Sequence, residues 1–459
     1  MDVHEGCYRA FAANQLMIRS LLERRKQKSS SPSNRSNCDT IRRTRKSIQQ
    51  VYRELGPNMF RRSFRMEYST FSLLFAKIKP QLVRTMGRHR RKKRNHAVNG
   101  LIPLASRLGC AIRYWAGADP YDLMLVFGIS YTEVHTSVSY VLDAVNLTQS
   151  FDIKFPTEHA EQYAIAEAFK AKSKADFDIC VGCVDGMLVW IHLPSKEECE
   201  KIGVGQAKFI CGRKNKCGLN LQAICDAKRR FLDISILFGA SASDLLAFES
   251  SPIRVKMDSA NFVAPGLCLF GDNAYINRLF MATPIPNLGQ HTENRVDKDA
   301  YNFYHSQLRI NIECAFGILV SRFGWLRKQA PIQYTVKKTM ATVSCLCKLH
   351  NFLIDCRLGT DNTEQEETIA EMTPQDELNL AVEGGVPLEA VGTSQDVVPG
   401  QLLGSGEHFD DDPRYALRRR ITQMHGDHML PRACLLNHVM EKGLRRPVHN
   451  VARNGASRR

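Results

Sequence analysis

Apolar and polar positions along this chain follow two regimes. From Phe60 to Val145 the apolar residues recur at helical spacing. Phe64, Met66, Phe71, Leu74, Phe75 and Ile78 predict a small helical element over Phe60–Leu82, with Ser69 placed to cap it. Leu101 to Trp115 predicts an amphipathic helix and Pro120 to Phe127 a second; after the break Gly128-Ile-Ser130, Thr132 to Val145 predicts a third. From Ile179 onward the pattern turns to strands. Phe177 to Ile191 reads as a strand buried on both faces. Asn220–Asp226 and Phe231–Phe238, flanking the polar turn Ala227-Lys-Arg-Arg230, read as a hairpin that follows it, giving three consecutive antiparallel strands. Ser243 starts a capped helix, and Gly266 to Asn273 is a short buried strand. Pro284 to Tyr301 reads as a loop long enough to be functional, and Tyr301–Arg327 and Thr335–Leu353 as helices.

Against this pattern three carboxylates stand out. Asp185 lies in the middle of an apolar strand, where an uncompensated charge costs several kcal/mol. Asp272 ends a second strand, and Glu313 sits at the edge of the apolar face of the Tyr301–Arg327 helix, able to reach toward the sheet. Three such groups brought together repel, and one or two Mg2+ or Mn2+ ions, which prefer oxygen ligands, relieve this. Two ions about 4 Å apart suit in-line phosphoryl displacement. By spacing alone, the competing reading is three unrelated acids serving turns.

Charge sharpens the picture. The 459-residue chain carries a net +16, and it is segregated: residues 1–99 hold 24 Lys/Arg against 6 Asp/Glu, residues 358–412 hold 14 acids and no Lys/Arg, and residues 413–459 hold 11 Lys/Arg against 2 acids. The ends therefore read as tails or small modules around a balanced core. The cluster Arg88, His89, Arg90, Arg91, Lys92, Lys93, Arg94 has the charge density of a phosphate-binding or nuclear-import segment, or of a solvated linker. The two helices joined at Gly128-Ile-Ser130 have a helix-turn-helix pattern that would expose Tyr131, Thr132, His135 and Thr136 to DNA, although plain helical packing has the same signature. The 15 cysteines are scattered in apolar segments, as reduced core thiols are. Cys180 and Cys183 have Cys-x-x-Cys spacing, but residues three apart in a strand point to opposite faces and no partner pair follows at finger-like distance. No run of 18 apolar residues and no signal pattern occurs, so neither membrane insertion nor secretion is expected.

Five ordered motifs resemble the PIF/Harbinger transposases and Harbinger transposase-derived nucleases of the DDE superfamily. They are Cys183-Val-Asp-Gly186; Cys225-Asp226 with Ser243-Asp244; Phe270-Gly-Asp-Asn-Ala-Tyr275; Tyr304 to Gly317, containing Arg309 and Ile312-Glu313; and Leu349-His-Asn-Phe352. The resemblance covers roughly Phe60 to Asp355. It implies an α/β, RNase H-like mixed five-stranded sheet with flanking helices, preceded by an all-α helix-turn-helix region. It assigns Asp185, Asp272 and Glu313 as catalytic residues and ligands of two divalent metals, Mg2+ or Mn2+. The implied chemistry is hydrolysis that frees a 3′-OH, then attack of that hydroxyl on target DNA. A Myb-like partner protein, a homo-oligomer and a nuclear location are expectations of the same kind. The chain departs from the family pattern at Cys314, where an Arg is common, and at Met187-Leu188, where Thr-His is usual. Neither removes a metal ligand. Arg309, one turn before Glu313, could pair with that carboxylate or contact a phosphate.

The expected domains are a basic, largely disordered region 1–59, a helical DNA-binding region 60–150, a nuclease domain 175–356, an acidic disordered linker 357–412 and a basic, solvated tail 413–459 in which Arg414 to Arg446 reads as a short basic helix. The expected activity is that of a DNA endonuclease and transposase. The alternative is a domesticated DNA-binding or chromatin-interaction protein without transposition.

Overall fold

A computed structural model describes residues 43–89, 101–259, 261–286, 288–289, 293–358 and 430–447. Arg45–Asn95 and Ile102–Arg459 form one compact unit, which carries everything below; a second unit, residues 1–44 and 96–101, lies almost wholly outside the described residues.

Helix α1 (Ile48–Phe64) opens with a capping box between Ser47 and Gln50 and kinks at Gly56, φ 71°, before Pro57. Its first residues fall in the region expected to be disordered. Arg65, φ 61°, ends α1, and α2 (Tyr68–His89) follows. The single element expected over Phe60–Leu82 is thus the junction of two helices, stitched by stacked Phe60 and Phe64 and by Phe71. Helices α3 (Leu104–Trp115), α4 (Pro120–Phe127) and α5 (Tyr131–Asn146) come next. The Asp119 side chain caps α4, Gly128 ends it at φ 60°, and Ser130 caps α5 through Glu133 N–H.

After α6 (His159–Lys170), β1 (Cys180–Trp190) enters the sheet, followed by α7 (Lys196–Ile202) and β2 (Ile210–Cys211). Strands β3 (Lys216–Cys225) and β4 (Phe231–Gly239) form the hairpin. Short helices α8 (Asp244–Glu249) and α9 (Pro252–Met257) lead to β5 (Cys268–Phe270) and β6 (Met281–Ala282). Among the described residues the sheet has six strands, one more than expected: the main order is β4-β3-β1-β5-β6, with two-residue β2 added at the start of β3. β1, β3 and β4 are antiparallel, whereas β5 and β6 run parallel to β1.

Long helices α10 (Arg295–Arg322) and α11 (Val336–Leu358) cover one face of this sheet. α10 begins six residues before the expected Tyr301, which shortens the loop after Pro284. Leu308, Ile312, Ala315 and Leu319 are its buried stripe. The Leu349-His-Asn-Phe352 segment ties α11 to the hairpin turn: the Asn351 side chain bonds both the N–H and the C=O of Phe231 at 2.8 Å, and His350 Nε2 meets Arg229 O at 2.8 Å.

Two expectations fail on local geometry. Cys180 and Cys183 do not point to opposite faces; a register shift between Cys180 and Gly182 undoes the alternation, and the two Sγ atoms stand 3.9 Å apart in the core. Nor is the C-terminal basic stretch a solvated tail throughout. Helix α12 (Pro431–Glu441) buries Cys434, Leu435 and Val439 against α10 and the β6 edge.

Candidate active site

Strand register places the first two carboxylates. In the parallel β1–β5 pair Cys183 stands opposite Phe270; Asp185 lies two residues further along β1, and Asp272 two residues on, just past the end of β5. Cys183 contacts Leu308 O in α10 at 3.2 Å, which sets that face of β1, and with it Asp185, under α10. Asp185 Oδ1 accepts the Gly186 N–H at 2.8 Å, and Asp272 Oδ1 accepts the Ala274 N–H at 2.9 Å in a turn just past β5.

The third carboxylate comes from helical spacing. Asn302, Ser306, Arg309 and Glu313 recur at four, three and four residues, a polar stripe on α10 beside its apolar one, and all four line the cleft holding Asp185 and Asp272. The cleft has a volume of about 530 Å³, and Asn273, Pro284, Ile285, Pro286 and Leu288 complete its walls. The Pro284–Pro286 wall is held in place: Asn302 bonds the N–H and C=O of Ile285 at 2.8 and 3.0 Å, and Tyr301 Oη donates to Thr283 O at 2.9 Å. From α12, Arg432 Nη1 donates to Thr283 Oγ1 and Pro284 O, both at 3.3 Å.

Of the two roles open to Arg309, pairing is the one seen here. Its Nη2 lies 2.5 Å from Glu313 Oε1 and its Nη1 3.4 Å from Asp185 Oδ2. The carboxylates it joins are 26% and 19% exposed. Burial pushes the Asp185 carboxyl up to about 7 against the pull of Arg309 and the Gly186 N–H, with Asp272 and Glu313 adding to the rise. Asp272 is also raised, chiefly by burial and in part by Asp244. Arg309 is itself raised above the ordinary guanidinium range although burial opposes it, because Glu313 and Asp185 favour its charge.

This donor set fits hard divalent cations: oxygen ligands only, in one cleft, with a positive group already between two of them. As placed, no three Asp, Glu, His or Cys side chains among the described residues converge tightly enough to hold one ion. The Arg309 guanidinium lies between Asp185 and Glu313 and pairs with both.

Of the expected DNA-contacting residues, Arg309 lines this cleft, whereas the described Tyr131, Thr132 and His135 do not. Arg88 falls in the last turn of α2, and Arg90, Arg91, Lys92, Lys93 and Arg94 lie outside the described residues. Tyr131 and Thr132 are exposed at the start of α5, while His135 is half-buried between the rings of Tyr131 and Tyr114. Further along, α5 packs on α11, with Asn146 Nδ2 donating to Ala341 O at 3.0 Å.

Residues 184–351, which contain β1 from Val184 through most of α11, match the family model of a DDE superfamily endonuclease. All three carboxylates lie within the match, which points to a transposase-like nuclease domain and so to DNA and divalent metals. No curated protein and no solved structure matches the chain. Among the described residues no helix is long and apolar enough to cross a membrane.

Proposed function

We propose that this chain is a metal-dependent DNA endonuclease and transposase of the PIF/Harbinger kind, with Asp185, Asp272 and Glu313 as its metal-holding triad. One observation carries the reading: the β1–β5 register and the polar stripe of α10 bring these three carboxylates to one cleft, within the stretch that matches the endonuclease model. The strand order β4-β3-β1-β5-β6, with three antiparallel strands and then two parallel ones, supports an RNase H-like arrangement.

Asp185, Asp272 and Glu313 would hold two Mg2+ or Mn2+ ions, which would supply charge stabilisation for the attacking and leaving oxygens of a phosphodiester. The protein's own groups do the positioning. β1 holds Asp185 rigidly on the central strand, the Asp272 turn and Glu313 approach it from two sides, and Arg309 offsets their mutual repulsion while facing a cleft that a phosphate can enter. Water would be the first nucleophile and the freed 3′-OH the second. The α4–α5 pair, with Tyr131 and Thr132 exposed, is the proposed helix-turn-helix, and the Arg88–Arg94 cluster would add sequence-independent phosphate contacts and nuclear import. A Myb-like partner and a homo-oligomer that synapses two ends complete the reading.

Incubating the full-length protein with supercoiled DNA and Mn2+, then mapping the nicked ends, tests it. Nicks bearing 3′-OH ends are expected. DNA retention with no nicking under any metal would instead favour a domesticated DNA-binding protein.

A further inference from the structure

Behind the cleft, on the opposite face of β1, four polar side chains close a network. Tyr275 Oη donates to Gln222 Oε1 at 2.8 Å. Gln222 Nε2 donates to Asp244 Oδ1 and to Asn220 Oδ1, each at 2.9 Å, and Asn220 Nδ2 donates to Asp244 Oδ1 at 3.0 Å. Asn220, Gln222 and Tyr275 are 2%, 3% and 5% exposed, so the Tyr275–Gln222 and Gln222–Asn220 bonds are made away from competing water, while the two bonds to Asp244 are partly buried.

The two ends of this network meet β1 beside Asp185 and the turn that carries Asp272. Gln222 stands opposite Gly186 in the β1–β3 register, one residue from Asp185. Gly186 leaves the room: a Cβ there would overlap Asp244 Oδ1 and stand 2.5 Å from Gln222 Nε2. Tyr275 belongs to the Asp272 turn, where its N–H donates to Asp272 O at 3.3 Å and its ring lies over Gly271. Pairing between β1 and β5 stops at Phe270, so strand hydrogen bonds do not fix Asp272 against Asp185. The Tyr275–Gln222 bond spans that gap.

We propose that Asn220, Gln222, Asp244 and Tyr275 form a clamp that sets the separation of the Asp185 and Asp272 carboxylates, making Gln222 and Tyr275 positioning residues for divalent ions in the cleft. The inference rests on the nuclease reading and adds the residues that tune its metal affinity. Outer-shell partners of this kind typically cost about 10–100-fold in metal affinity when removed.

Calorimetric titration of the full-length protein with Mn2+ tests it on Tyr275→Phe, Gln222→Met and Asp185→Asn, alongside thermal unfolding in chelator and retention of supercoiled DNA. Tyr275→Phe and Gln222→Met are expected to weaken Mn2+ binding by about tenfold or more, with DNA retention unchanged. A merely structural role would lower the unfolding temperature and leave Mn2+ affinity as it was. Should Gln222→Met fail to fold, Tyr275→Phe, which deletes one oxygen, decides the question alone. Unchanged Mn2+ affinity in the folded clamp variants, with binding lost in Asp185→Asn, overturns the clamp and leaves the nuclease reading standing. If the wild type binds no Mn2+, the nuclease reading falls and the clamp falls with it.

Discussion

Gly186 lies directly against Asp244, so that the residue after the first carboxylate has no room for a side chain. Gly186→Ala must push the Asp244 carboxylate and the Gln222 amide aside, where both are already hydrogen-bonded. Overpacking of this sort costs about 1–3 kcal/mol. Chemical denaturation should show that loss, and adding Asp244→Ala to Gly186→Ala should cost less than the sum of the two single changes, because one deletes the group the other strikes.

The C-terminal helix should act on the cleft wall from a distance in sequence. Arg432→Ala removes the bonds to Thr283 and Pro284 but leaves the apolar side of α12 in place. Limited proteolysis between Thr283 and Asn294 is then expected to speed up several-fold with little change in global stability. Leu435→Ala, at a fully buried position, should lower stability by about 2–5 kcal/mol. Equal proteolysis of wild type and Arg432→Ala would show that α12 does not hold the wall.

His350 gives a signed dependence on pH. Burial, aided by Arg322 and Arg357, depresses its imidazole to about 3, against the Arg229 carbonyl bond. A base held neutral in the fold binds its proton more readily once unfolded, so the stability it contributes is present above about pH 6.5 and drains away as pH falls toward 3. The unfolding-temperature advantage of wild type over His350→Gln should therefore be largest near about pH 7.5 and shrink by about pH 5. An advantage that grew on acidification would contradict the buried, neutral assignment.

Much of this site can be read from residues alone, for a physical reason. A carboxylate inside an apolar strand, as at Asp185, is costly enough to demand an explanation, and Asp272 at a strand end and Glu313 beside an apolar helix stripe supply it. The residues that escape such a reading are ones whose isolated appearance is ordinary. Gln222 and Asn220 read as polar positions of a half-exposed strand, and only the β1–β3 register reveals that they are buried behind Gly186. The early start of α10 is hidden because Arg295 to Asp299 has no apolar stripe of its own. The Cys180–Cys183 approach depends on a register shift that leaves no mark in composition. Helix α12 sits in a basic segment beyond an acidic stretch, and its four buried residues, Pro431, Cys434, Leu435 and Val439, are too few to announce that it packs on the core.

On the proposed reading, the cleft of Asp185, Asp272 and Glu313 cleaves DNA. The most direct measurement compares Mn2+-dependent nicking of supercoiled DNA by the wild type with nicking by Asp185→Asn and Glu313→Gln, each at matched DNA retention. Nicking by the wild type is expected to stop with chelator and to fall to background in both variants. Nicking that persists unchanged in Asp185→Asn, or that never appears in the wild type, would contradict that reading.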